Sequence, residues 1–396
     1  MNTAHKPHLL FISYYFPPMG GGGVQRILKF LKYWDAANYR LSVLTVKPSH
    51  FYAFDKQLEK DLPAGVSVWR SGSLDPFRLL HIFSGKEGPS PKNKTVSRRE
   101  SGSLLRRISS WLFVPDSRLF WLPFALRKIR KIHQSTPVDL IISSMPPFTT
   151  GLIAARAQKN PGIPFLADFR DAWTCNPYLP QLSPLHSRIQ QHLEKKVIGR
   201  AAGLAFVNPN LQKFYLEKYP DIQNRPFQTI RNGYDEEDFQ NLKAAKPDER
   251  SGKFRLGVMG TVYSQGNEPL PLLQAVKRWW QKDAALPNRL NIIFVGKWSA
   301  DFLNKVRGLK IEPLLQWKDY MPHQQALAFA AGLDALALAV RSGLPGSGNV
   351  TPGRIYEYLY LQKPVLAMCP LNSDLAELVR NSNAGEAVEY KNIAKI

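Results

Sequence analysis

Three stretches of this sequence bring together residue types that can do chemistry. The first, Pro17-Pro18-Met19-Gly20-Gly21-Gly22-Gly23, falls between an apolar run and a helical pattern that begins near Val24. Four glycines in a row remove every Cβ and permit positive φ, so a ligand can approach the backbone closely. The helix that follows offers unpaired N–H groups and a partial positive charge, which suits phosphate. The spacing is neither that of a dinucleotide fingerprint nor that of a P-loop, so it specifies no particular nucleotide.

The second stretch, Ala167-Asp168-Phe169-Arg170-Asp171-Ala172-Trp173, ends a predicted strand. In open α/β sheets that edge faces the ligand crevice. Asp168 and Asp171 can orient hydroxyls or accept a proton, with Arg170 keeping one of them ionised; the same three side chains also suit a purely structural ion-pair network. The third stretch runs from Gly346 to Leu359 through Ser347-Gly348-Asn349-Val350-Thr351-Pro352-Gly353-Arg354. Thr351 is a good N-cap and Pro352 a good first helical residue, so the loop feeds into a helix N-terminus that can take an anion, with Arg354 nearby to neutralise it. Glu357, three residues beyond Arg354, can accept two hydrogen bonds from a diol; the plainer alternative is a capped helix in which Glu357 pairs with Arg354. Weaker signals are the strand-end pairs Asn232-Gly233, Gly260-Thr261 and Gly296-Lys297.

Positioning these residues requires parallel sheets. Apolar runs at 8–16, 40–46, 66–70, 138–143, 163–169 and 203–207 alternate with helical patterns, one of which places Ile189, Leu193 and Val197 on a single face. Strands that alternate with helices imply crossover connections and one parallel sheet. A second set of runs at 255–259, 290–295, 335–340 and 364–368 repeats the arrangement. The expectation is α/β: a first Rossmann-like domain over 1–239 with an insertion at about 71–110, a polar linker over 240–253, and a second Rossmann-like domain over 254–396. No short-period repeat is visible.

Composition excludes several classes. The 396 residues are 44% hydrophobic and 11% aromatic, too rich for a disordered chain, and no apolar run approaches the ~20 residues that span a bilayer. The start of the chain lacks the pattern of a secretory signal, which implies a cytoplasmic protein. Two cysteines, Cys175 and Cys369, have no ligand-like spacing, so neither a disulfide framework nor a thiolate metal site is expected. The net charge of +22 implies polyanionic company. Part of it is local, with twelve bases against three acids over 86–131, a segment that also holds Trp111, Leu112, Phe113, Phe120, Trp121 and Phe124. That mixture suggests peripheral docking on an anionic membrane surface. A nucleic-acid binder lacks support, since there is no recognisable reading helix or aromatic–basic repeat.

Taken in order, these motifs resemble the family 4 retaining glycosyltransferases of bacterial polysaccharide and cell-envelope synthesis, which have the GT-B fold. The resemblance rests on Ser13-Tyr14-Tyr15-Phe16-Pro17-Pro18 with its glycines, on Asp168 to Trp173, on Asn232-Gly233-Tyr234-Asp235, and on Arg354-Ile355-Tyr356-Glu357-Tyr358-Leu359 leading into Lys363-Pro364-Val365-Leu366-Ala367. It implies two Rossmann-like domains facing across a cleft, with the donor nucleotide sugar on the second and a glycan or lipid-linked acceptor on the first. Glu357 would then hold the donor ribose and the loop 346–351, with Gly348, Asn349, Val350 and Thr351, the diphosphate and sugar. Gly22 and Gly23 would line the cleft side, and Gly260, Thr261, Gly296, Lys297 and Arg354 would complete the donor site. Asp171, Asp168 and Arg354 are the expected catalytic residues. No cofactor beyond the co-substrate and no metal is expected.

The sequence departs from the family pattern in three ways. Asn349 stands where the family often has a second Glu, eight positions before Glu357, and no base occurs over 262–268, where an Arg and Lys pair commonly grips the diphosphate. The family's terminal helix, which returns to the first domain, is not expected in the sequence to Ile396. Arg354 or Lys297 is expected to replace the missing bases. The rival readings are a sugar-nucleotide epimerase of the same fold and a non-catalytic nucleotide-sugar-binding module.

Overall fold

The computed structural model describes residues 6–48, 55–74, 113–179, 183–240, 242, 252–262 and 266–396. The expected insertion and linker lie largely outside them, as do Trp111 and Leu112. The described residues form two compact units.

The first unit contains β1 (His8–Ile12), α1 (Gly22–Tyr33), β2 (Arg40–Val46), β3 (Ser67–Ser71), α2 (Leu122–Ser135), β4 (Leu140–Met145), α3 (Thr149–Lys159), β5 (Phe165–Phe169), α4 (Pro184–Arg200), β6 (Gly203–Phe206), α5 (Pro209–Lys218) and β7 (Phe227–Thr229). Its strands build a seven-stranded sheet in the order β3-β2-β1-β4-β5-β6-β7, parallel throughout. All five residues of β1 and the last six of β2 are buried, the pattern of strands covered on both faces. Side-chain oxygens mark where two of the helices start. Asn208 Oδ1 accepts from the Leu211 N–H at 2.7 Å to cap α5, and the partly buried Asp116 carboxylate, 33 positions away in sequence, takes both the N–H and the hydroxyl of Thr149 at the head of α3.

The second unit takes in residues 232–396 and also the short stretch 175–179, although the sequence grouped 232–239 with the first domain. It contains α6 (Glu237–Gln240), β8 (Phe254–Met259), α7 (Leu270–Lys282), β9 (Leu290–Val295), α8 (Ala300–Arg307), β10 (Leu315–Lys318), α9 (His323–Ala331), β11 (Ala335–Ala339), α10 (Arg354–Tyr360), β12 (Val365–Met368), α11 (Asp374–Asn381) and β13 (Gly385–Val388). The six-stranded sheet has the order β10-β9-β8-β11-β12-β13, again parallel. One apolar cluster gathers Leu273, Ile292, Phe294, Phe302 and Ile311, and another gathers Leu336, Ile355, Ala367, Leu375 and Val379.

Several expectations need correction. β7 and β10 were not anticipated; both are edge strands, half exposed, so neither shows a continuous apolar run. Ile189 is 40% exposed, and α4 buries His186, Glu194, Val197 and Ile198 instead. Trp121 is fully buried, its Nε1 donating to Ser71 Oγ at 2.7 Å and its ring edge-on to Tyr14, so it is a core residue of the first unit. Thr351 does not cap a helix: α10 starts only at Arg354, and the Thr351 hydroxyl donates to the buried Asp374 carboxylate at 2.8 Å.

Candidate functional site

In both sheets the strand order reverses between two neighbours, β1/β4 in the first and β8/β11 in the second. Ligands of open α/β sheets bind outside the carboxyl ends of strands at such a point. The glycine run follows β1, Gly260 follows β8 and the loop at 346 follows β11, whereas the motif at 168–173 follows β5 and Gly296 follows β9.

In the first unit Gly21 has φ 105°, a conformation that needs glycine, and Gly22 and Gly23 open α1. Of the glycines that permit positive φ in this run, Gly21 is the one that adopts it. Arg170 ties the motif after β5 to the glycines: its guanidinium donates to the carbonyls of Gly23 (2.7 Å), Met145 (3.3 Å) and Pro146. A Cβ on Gly23 would lie 2.7 Å from Arg170 Nη1, so a side chain there would have to displace that guanidinium from its three carbonyls. Of the two aspartates, one of which Arg170 is expected to keep ionised, it acts most on Asp171, while Asp168 takes another partner. Asp168 is fully buried and accepts two hydrogen bonds from Arg26, Nη2 at 2.7 Å and Nε at 3.0 Å, and one from Ser144 Oγ at 2.9 Å. With both oxygens occupied and no surface exposed, Asp168 acts as a strut that ties β5 to α1 and β4. Trp173 closes the motif, its backbone N–H on Tyr215 Oη at 3.0 Å and its Nε1 on Gln190 at 2.6 Å. Tyr215 is held in turn by the fully buried Glu194, which also takes Thr174, Lys218 and Tyr219.

Asp171 is the carboxylate that remains available. Burial pushes it up to about 6, against the opposing pull of Arg170. A carboxyl raised in the fold favours the native state while protonated, and this contribution is lost as the pH rises through about 6. Asp171→Asn should therefore stabilise the protein at pH 7.5 by about 1–3 kcal/mol, an advantage that vanishes below pH ~4. Denaturant midpoints at the two pH values check this, and an equal offset at both would contradict it.

In the second unit Gly260 (φ 102°) and Gly296 (φ 143°) leave β8 and β9. The Arg354 guanidinium occupies the space a Gly260 side chain would fill, and the Gly260 carbonyl occupies that of Gly296. Lys297 O accepts from the Val262 N–H at 3.0 Å, and burial holds the Lys297 ammonium below the usual lysine range. The carbonyl of Thr261 is fixed by Asn267 at 3.0 Å. These four expected donor-site positions therefore converge with Arg354. The loop 346–350 turns at the left-handed Gly346, where a side chain would strike the Cys175 carbonyl, and makes a single 3-10 turn over Ser347–Asn349. Gly348 faces Asn372, and Gly353 lies beside Asn232. Glu357 does not pair with Arg354; its Oε1 lies 2.9 Å from His323 Nε2 at the start of α9. Among the described residues no group of three His, Cys, Asp or Glu is placed to hold a metal ion.

The sequence of residues 21–233 matches the glycosyl transferase 4-like domain, over half of the chain. The protein is a member of the glycosyl transferase 4-like family. No curated protein matches it by sequence. Among solved structures it is similar to sucrose-phosphate synthase from Thermosynechococcus elongatus, at 12% identity and TM-score 0.64, covering 98% of this chain and 87% of that one. It is also similar to Anabaena HepE in complex with UDP-glucose, at 15% identity and TM-score 0.60, covering 98% and 88%. WaaG, a glycosyltransferase involved in lipopolysaccharide biosynthesis, gives 12% identity and TM-score 0.60 with 98% and 89% covered. The fold is GT-B, built from two Rossmann-like units, and the protein is a glycosyltransferase.

Sequence reasoning missed three groups that hold this glycosyltransferase's motifs in place: Arg26, Glu194 and His323. Arg26 and Glu194 lie on helices among residues that read as surface charge, and nothing local marks them as buried.

Proposed function

We propose that this glycosyltransferase moves a hexosyl unit from a nucleoside diphosphate sugar to a hydroxyl of a polysaccharide or lipid-linked acceptor in the cytoplasm, with retention of configuration. The observation that carries this reading is Arg354, laid over Gly260 at the β8/β11 reversal with Glu357 one turn further along α10. A guanidinium at a strand edge suits the charge that builds on a departing diphosphate, and Lys297, with Gly296, adjoins the same turn. The anomeric C–O bond to phosphate breaks, the acceptor oxygen bonds to the same carbon, and the acceptor proton passes to the departing phosphate. In this reading Asp171 orients the acceptor hydroxyl, the loop 348–351 cradles diphosphate and sugar, and no metal takes part. The UDP-glucose bound to the similarly folded Anabaena protein supports a nucleotide-sugar donor.

Glu357 would take the ribose through its carboxylate, with His323 fixing one oxygen. Glu357→Gln keeps the volume and removes the charge, so nucleoside diphosphate affinity should fall by about 1.5–3 kcal/mol, the range for a hydrogen bond to a charged group. Calorimetric titration with UDP and the other nucleoside diphosphates tests this. An unchanged dissociation constant in the folded variant refutes the ribose assignment.

A further inference from the structure

Helices α2, α3 and α4 pack side by side in the first unit. Together they carry ten Lys and Arg residues: Arg127, Lys128, Arg130 and Lys131 on α2, Arg156 and Lys159 on α3, and Arg188, Lys195, Lys196 and Arg200 on α4. Neither α2 nor α3 contains an acid, and the one acid of α4, Glu194, is fully buried. The outer face of three adjoining helices is therefore basic without a single exposed carboxylate of its own.

Two further observations narrow the partner. Leu185 and Ile189, one turn apart on α4, are 63% and 40% exposed in the middle of this charge, flanked by Arg188, His192 and Lys196. Between α3 and α4 lies a recess of about 40 Å³ with Leu152, Ala155 and Leu193 as apolar lining and Arg156, Lys196 and Arg200 as the bases. That space is roughly three times the ~10–15 Å³ that admits one water, so it suits a phosphate group and not an acyl chain.

We propose that this face docks on an anionic lipid bilayer, with Leu185 and Ile189 entering the headgroup boundary and a lipid phosphate seated among Arg156, Lys196 and Arg200. An interfacial helix of this kind combines basic side chains that meet anionic headgroups with apolar ones that bury beneath them. Nucleic acid matches the charge but has no use for two protruding aliphatic side chains, and the three helices carry a single Phe, Tyr or Trp between them, the partly buried Phe124 of α2, where single-strand binding relies on successive stacking rings. A second copy of the chain would bring the same positive charge against this face. Docking through this face does not depend on the donor site.

The test is co-sedimentation of the full chain with vesicles of 70% phosphatidylcholine and 30% phosphatidylglycerol, beside pure phosphatidylcholine, in 0.1 M salt. Binding is expected to the anionic vesicles alone. Arg188→Gln with Lys195→Gln and Lys196→Gln should weaken it by about fivefold per base, and Leu185→Ser with Ile189→Ser by about tenfold or more. All five positions are wholly or partly solvent-exposed, and the melting temperature of each variant checks that it folds; Ile189→Asn alone serves as a milder version. Raising the salt to 1 M, where screening shortens to about 3 Å, should release the charge-driven part. No binding to anionic vesicles, or binding unchanged in both variant sets, overturns the proposal. Preferential capture of single-stranded RNA that survives Leu185→Ser with Ile189→Ser also overturns it, and makes the face a nucleic-acid surface.

Discussion

Replacing Arg26 with Met is expected to cost about 3–5 kcal/mol of stability, the loss typical when one partner of a buried ion pair is removed. The substitution keeps an unbranched apolar stem over Phe30 but leaves Asp168 with Ser144 as its remaining hydrogen-bond donor. The side chains of the pair are 2% and 1% exposed, so water cannot replace the guanidinium. For a unit of roughly 200 residues this loss corresponds to a fall of about 10 °C in melting temperature. The orphaned carboxylate should escape its penalty by taking a proton, so the gap between variant and parent narrows as the pH is lowered toward 5. Arg26→Met combined with Asp168→Leu should recover much of the loss, because an apolar pair of similar volume often replaces a buried ion pair at little cost. Urea denaturation at pH 5 and 8 distinguishes these outcomes. An Arg26→Met protein as stable as its parent would show that the strut is dispensable.

The second large effect concerns turnover. On the proposed function, Arg354→Ala removes the guanidinium that meets the departing diphosphate, and kcat should fall by about 10²–10³ while the fold is kept. Arg354→Lys should recover little, since an ammonium cannot lie flat over Gly260 or offer two parallel donors. Gly260→Ala approaches the same result from the other side. The new methyl would occupy the guanidinium's place and strain a backbone at φ 102°. Initial rates against a panel of nucleotide sugars provide the measurement. A parental kcat in Arg354→Ala would remove this residue from the chemistry.

The sequence was informative where physics leaves a local signature. Strands covered on both faces are continuous apolar runs, so β2 and β9 were read with the bounds that the fold shows. The half-exposed edges β7 and β10 have no such signature. Among site residues, the glycines at 260 and 296 and the arginine at 354 were legible from turn chemistry and charge, and the fold brings them together. Pairings were not legible. Asp168 and Arg26 are 142 positions apart, and Glu357 and His323 are 34 apart on different helices, so no spacing rule connects them. The +22 charge was legible in amount, with twelve bases over 86–131, a segment partly outside the described residues; α3 and α4 add six bases from beyond it.

The short stretch 175–179 belongs to the second unit although most of that unit begins at residue 232. Gly346 and Gly266 make room for it, the one at the Cys175 carbonyl and the other at the Tyr178 ring. In biosynthetic order this piece emerges before β6 and β7, the last strands of the first sheet, and long before any strand of the second. It must then wait for the loop at 346 to be made before it has a seat. A gene fragment beginning at residue 232 would encode both glycines but not the segment they accommodate, so the second unit is not contiguous in the genetic sense. Its earliest described piece is synthesised well before the residues that seat it.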